Sequence, residues 1–134
     1  MPLTKLEHYL VLTDNIDATR DFYVEALGMQ MGFRPPLGFP GHWVYIGDTP
    51  VIHIAEWITY TAHSKAKGVE VTTRASETGP VDHIAFAAQD YDEVLARLHR
   101  LGVRVRVNDN PGNTVRQLFV FDPNGVKIEI NFRK

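Results

Sequence analysis

The chain carries one pattern twice, and that repeat constrains its fold more than any other feature. Leu6-Glu7-His8-Tyr9-Leu10-Val11-Leu12 returns as Val81-Asp82-His83-Ile84-Ala85-Phe86-Ala87, and both read apolar, acidic, histidine, apolar. Each has the character of a β-strand. That places His8 on the face of Leu6 and Leu10, and His83 on the face of Val81 and Ala85. A helix follows each strand. In the first copy Asp14 or Asn15 can cap it, Ile16, Phe22, Tyr23, Ala26 and Leu27 turn inward, and Gly28 stops it. In the second, Asp90 and Glu93 are spaced like a capping box, Tyr91, Val94, Leu95, Leu98 and Leu101 recur at helical spacing, and Gly102 ends the run. Three short strands complete each half, at 29–34, 41–46 and 51–55, then at 104–107, 115–121 and 126–131.

The two modules, 3–56 and 81–132, flank a linker or lid at 57–80 with a possible helical turn at 58–66, and 1–134 reads as one domain. The stretch Arg34-Pro35-Pro36-Leu37-Gly38-Phe39-Pro40-Gly41 cannot be helix or central strand, because its three prolines fix φ and remove donors. It is expected as an ordered loop with an exposed aromatic. Asp122-Pro123-Asn124-Gly125 is a strong turn signal and Asp48-Thr49-Pro50 a weaker one.

Composition removes several classes of function. Fourteen basic and sixteen acidic residues leave a net charge of −2 without a basic block, so no nucleic-acid partner is expected. The absence of cysteine excludes disulfides, thiolate nucleophiles and Cys-based metal sites, leaving His, Asp and Glu as metal donors. No apolar run approaches the ~18 residues of a membrane span, and the opening segment has no signal-like apolar core, so a cytoplasmic protein with no membrane partner is expected. No Gly-rich phosphate cradle is present, so no nucleotide cofactor is indicated.

Aligning the last hairpins sets Ile52 against Ile128, and so His53 against Glu129. His8, His53, His83 and Glu129 then occupy repeat-related strand positions. If the copies pair, three imidazoles and a carboxylate meet, an N and O donor set suited to Zn, Ni, Fe, Mn or Co rather than Mg or Ca. His63 and His99 have no repeat partner and are expected in solvent. Arg34 and Arg116 could grip a carboxylate or phosphate, and His42, Trp43, Tyr45 and Asn113 complete the candidate substrate-binding residues. Phe33, Phe39, Trp43, Tyr45 and Trp57 could instead line a cleft for a flat molecule.

These motifs, with Asp21-Phe22-Tyr23 and Ala26-Leu27-Gly28-Met29, make the sequence similar to the vicinal oxygen chelate superfamily: glyoxalase I, bleomycin-resistance proteins and extradiol dioxygenases. The resemblance implies an α+β fold of two βαβββ modules forming a cupped mixed sheet, helices outside, around one divalent metal that binds vicinal oxygens of a small-molecule substrate. It also implies a homodimer. It carries the metal positions onto His8, His53, His83 and Glu129. Bacterial glyoxalase I usually has a glutamate where this chain has His53, so one carboxylate base is missing and Glu129 is the remaining catalytic candidate. Four protein ligands leave two open positions on a six-coordinate metal, which favours an isomerase or lyase acting through an enediolate. An Fe(II) extradiol-type dioxygenase using His8, His83 and Glu129, with His53 as an acid or base, is the alternative. A bleomycin-resistance-like drug-binding protein without catalysis is the third reading.

Overall fold

The fold was obtained as a computed structural model that describes residues 2–134, and Met1 lies outside them. It is α+β, with two βαβββ units built on four-stranded mixed sheets. One compact unit runs through Thr73 and the other covers Arg74–Lys134.

In the first unit β1 (Tyr9–Thr13) leads into α1 (Ile16–Asp21), which continues as a π-helical turn over Phe22–Ala26. Strands β2 (Gln30–Met31), β3 (Gly41–Ile46) and β4 (Thr49–Glu56) follow, with sheet order β1-β4-β3-β2. Asn15 is the helix cap: its side chain accepts the Ala18 N–H at 3.0 Å. Gly28 leaves the helix at φ 74°, a conformation that costs glycine little. The core of this unit buries Val11, Val44, Ile52 and Ile54 from the strands and Tyr23 and Ala26 from the helical segment. Thr13 and Thr19 are buried there too, their hydroxyls 3.0 Å apart. Period-2 alternation sends the intervening residues of these strands to the opposite face.

In the second unit β5 (Ile84–Ala87), α3 (Tyr91–Arg100), β6 (Arg106–Asn108), β7 (Val115–Phe121) and β8 (Lys127–Arg133) repeat the plan, with sheet order β5-β8-β7-β6. Leu118, Val120, Ile128, Ile130 and Phe132 alternate into the core with Leu98 from α3. Asp122 builds the expected turn, its Oδ1 accepting the N–H groups of Asn124 and Val126 at 2.7 and 2.9 Å.

Four local expectations are corrected. The capping box at α3 does not form: Asp90 sits in the left-handed region at φ 64° and makes no side-chain cap bond. The linker at 57–80 holds more than the expected helical turn at 58–66: α2 (Trp57–Ala66) is a full helix that follows β4 directly. Phe39 is half-buried rather than exposed, packed edge-on to Tyr60 at 5.2 Å. His63 is likewise half-buried, 4.9 Å from the Phe39 ring, so the loop and α2 hold each other.

Candidate functional site

Strand register places the functional side chains. In the first unit Leu10 pairs with His53 across β1 and β4, and Trp43 pairs with His53 across β3 and β4, so one row shares the face opposite the core. His8 stands two residues before Leu10, just ahead of β1 rather than inside it. The second unit repeats this row, with Ala85 paired to Glu129, Phe119 paired to Glu129, and His83 two residues before Ala85.

In the first unit three rings stack. His8 and His53 lie 3.7 Å apart at 12°, and His53 and Trp43 lie 4.0 Å apart at 11°. This stack is one wall of a cleft of about 160 Å³, also lined by Arg34, Leu37, Phe39 and Tyr60. His53 Nε2 is buried there without a hydrogen-bond partner. Burial, reinforced by the neighbouring His8 ring, pushes the His53 pKa down to about 4, although a bond to the Pro50 backbone acts the other way. The ring is therefore neutral near pH 7, and its Nε2 offers a lone pair.

In the second unit His83 Nε2 lies 2.8 Å from Glu129 Oε2. Glu129 is mostly buried, and its other oxygen accepts from Gln117 Nε2 at 2.6 Å. Gln117 belongs to a run of amides on the same face. Asn110 donates to Asn108 at 3.1 Å, Asn108 to Gln117 at 2.7 Å, and Gln117 also reaches Asn131 at 3.1 Å.

The acidic residues of the repeated motif have a local role. Glu7 Oε1 lies 2.9 Å from His8 Nδ1, and Asp82 Oδ2 lies 2.7 Å from His83 Nδ1. A carboxylate only accepts, so each Nδ1 carries the hydrogen; His8 Nε2 is then left for other work, whereas His83 Nε2 already faces Glu129 Oε2. Lys127, 2.7 Å from Asp82, and His83 together hold the Asp82 carboxyl below its usual range, keeping it charged.

Of the predicted site residues, His8 meets His53 and His83 meets Glu129. Among the described residues no three His, Asp or Glu side chains group so as to hold a metal, so two donor pairs are seen, one per unit. Arg34 and Trp43 line the cleft. His42 does not: its Nε2 lies 2.8 Å from Asp17 Oδ1, on the helix side of the sheet. Tyr45 donates to the Phe33 carbonyl at 2.6 Å. Arg116 stacks on Tyr91 of α3, with 4.0 Å to the ring centroid, on the face opposite Gln117 and Glu129. Asn113 is exposed in the turn before β7. Sequence reasoning missed Gln117, Asn108 and Asn131. Gln117 and Asn131 could have been found, since both share strand parity with Glu129.

Duplicated βαβββ units with a histidine opening each one define a class of proteins built by internal repetition. The chain belongs to the Glyoxalase/Bleomycin resistance protein/Dioxygenase superfamily, whose family model matches residues 5–130. It is 33% identical over 133 residues to "Glyoxylase I 4" of Arabidopsis thaliana, spanning 96% of this chain and 70% of that protein. The lactoylglutathione lyase of Agrobacterium tumefaciens shares the fold at a TM-score of 0.72 and 18% identity, over 98% of this chain and 95% of that one. TnmS3, an antibiotic binding protein from Streptomyces sp. CB03234, shares it at 0.67 and 22%, over 100% and 99%. One fold thus serves a lyase and a binding protein, so the reaction has to be argued from side chains.

Proposed function

We propose that the chain is a divalent-metal-dependent enzyme that binds vicinal oxygens of a small substrate and performs isomerase or lyase chemistry of the glyoxalase type. The carrying observation is His53 Nε2, buried, neutral and unpartnered. Leaving a buried polar atom unpaired costs about 1–3 kcal/mol, and packing alone would be better served by an apolar ring. A neutral imidazole with an unused lone pair is the form in which histidine binds a metal.

The donor chemistry of both units fits such a cation. His8 and His83 have Nδ1 fixed by Glu7 and Asp82, an arrangement common behind metal-bound histidines. In this reading His8, His53, His83 and Glu129 hold one Zn, Ni, Fe, Mn or Co ion. When bound, that ion polarises the substrate's adjacent oxygens and stabilises negative charge developing on them. Glu129 is the proton carrier: Gln117 anchors Oε1, and Oε2, once released from His83 Nε2, takes a proton from one carbon and returns it to the next.

A second reading has an observation of its own. The stacked His8, His53 and Trp43 rings, with Phe39 and Tyr60, suit a flat ligand that is held rather than transformed. Elemental analysis of untagged wild type and His53→Ala separates the readings. One equivalent of metal in wild type, largely lost in the variant, supports the proposed enzyme. Iron retained in the variant points to a dioxygenase triad of His8, His83 and Glu129. No metal in either protein after reconstitution overturns the metalloenzyme and leaves the binding protein.

A further inference from the structure

Arg34 stands at the mouth of the Pro-rich loop as a cation without a counter-ion. Its Nη2 donates to the Phe39 carbonyl at 2.8 Å, and its guanidinium carbon lies 5.1 Å from the Phe39 ring centroid. Gly41 provides the floor, since a Cβ there would come within 3.0 Å of that same nitrogen. The guanidinium is thus seated from several sides, yet Arg34 Nε is buried with no partner. No carboxylate among the described residues pairs with it. Burial alone draws its pKa below the usual arginine value, and no anion opposes that.

A half-buried guanidinium tied to one carbonyl leaves most of its five donors for something else. The fork matches a carboxylate or a phosphonate, which accept two parallel hydrogen bonds. The cleft beside it is aromatic and apolar, with Trp43, Phe39, Tyr60 and Leu37 among its walls. We infer that this cleft takes a small molecule with a planar or apolar body and one anionic oxygen-acid group, gripped by Arg34. The inference deepens the proposed function by giving the substrate a charge, and rests on that reading only for calling the bound molecule a substrate.

The test uses EDTA-dialysed protein, so that no metal can contribute to anion affinity. Benzoate, phenylphosphonate and neutral benzyl alcohol are titrated into wild type, Arg34→Met and Arg34→Lys, following tryptophan fluorescence with calorimetric confirmation. Charge-assisted hydrogen bonds predict that wild type prefers the anions by about ten- to hundredfold, a preference weakened by salt. Arg34→Met should lose that preference while still binding benzyl alcohol, and Arg34→Lys, which keeps charge but not the fork, should fall between. The ranking of benzoate against phenylphosphonate identifies the acid group. Equal wild-type affinities for anion and alcohol, or an unchanged preference in Arg34→Met, overturn the inference. Should Arg34→Met fail to fold, wild type and Arg34→Lys still decide. Anion preference without metal binding would refute the proposed enzyme but leave this inference standing, and the reverse result would do the opposite.

Discussion

Replacing His53 by phenylalanine should reverse the stability order of wild type and variant depending on whether metal is present. In the metal-free protein the substitution removes a buried, unpartnered Nε2, a gain of about 1–3 kcal/mol. It also removes the bond to the Pro50 backbone, a loss of about 1 kcal/mol. A flat ring is kept between His8 and Trp43. The net expectation is a variant more stable by about 1 kcal/mol, or roughly 3–5 °C in Tm for a chain of this size. With metal at a hundred times its Kd, wild type gains about 2.7 kcal/mol, which the variant largely forgoes, and the order inverts. The pH dependence follows the same ring. The folded value of about 4 lies below the ordinary 6.5, so as pH falls below 6.5 the unfolded chain takes up a proton that the folded chain resists until about 4. Metal-free wild type therefore loses stability across that window. A whole proton would give about 1.4 kcal/mol per pH unit, and the partial exposure of the ring reduces this to a fraction. Thermal and urea unfolding with EDTA and with added metal, at pH 5 and 7.5, reads all three effects. A variant less stable than wild type under both metal conditions, with the wild-type pH slope intact, would refute the reasoning.

Gln117→Leu strips Glu129 of its Oε1 partner, and should weaken metal retention about ten- to hundredfold in a chelator competition while far-UV circular dichroism stays unchanged. Asn15→Ala should cost about 1 kcal/mol in urea unfolding, because a real cap bond is lost. Asp90→Ala should also destabilise, but through its φ of 64°, so Asp90→Gly should match or exceed wild type, an outcome that a side-chain cap at Asp90 would forbid. Leu118→Ala, at a fully buried position, should cost about 2–5 kcal/mol by the same measurement.

The repeat was legible because a strand's period and a parallel register leave little freedom. Once His8 and Leu10 share a face, the pairing of Leu10 with His53 fixes which β4 residue stands beside them. The same arithmetic through Ala85 selects Glu129. Helix stops at glycine were readable for a related reason, since φ near +70° at Gly28 and Gly102 is costly for other residues. Features set by tertiary packing were not readable. His63 looks like a solvent histidine until α2 presses it against Phe39, and His42 looks like a cleft residue until Asp17 on α1 takes its Nε2. Asp90 carries capping-box letters, yet its backbone turns left-handed and its carboxyl never meets the first turn. Sequence spacing specifies candidates for a local bond, and the chain's approach to the helix decides whether it forms.

The two units have the same skeleton but line the face opposite the core differently. The first unit gives that face to aromatic rings, a neutral imidazole and a cation, a setting that receives a flat anionic body. The second gives it to amides that run in one direction, Asn110 to Asn108 to Gln117, and end on a carboxylate. Amides aligned in this way concentrate donor character at Glu129 without adding a titrating group, so they hold the carboxylate in place through Oε1, while Oε2 faces His83 Nε2. The duplicated backbone therefore sets where each histidine enters, whereas the β3 and β7 residues beside it, Trp43 in one unit and Phe119 and Gln117 in the other, give the two faces different chemistry. Exchanging Gln117 should accordingly alter metal retention without changing anion preference in the cleft, and exchanging Arg34 should do the reverse.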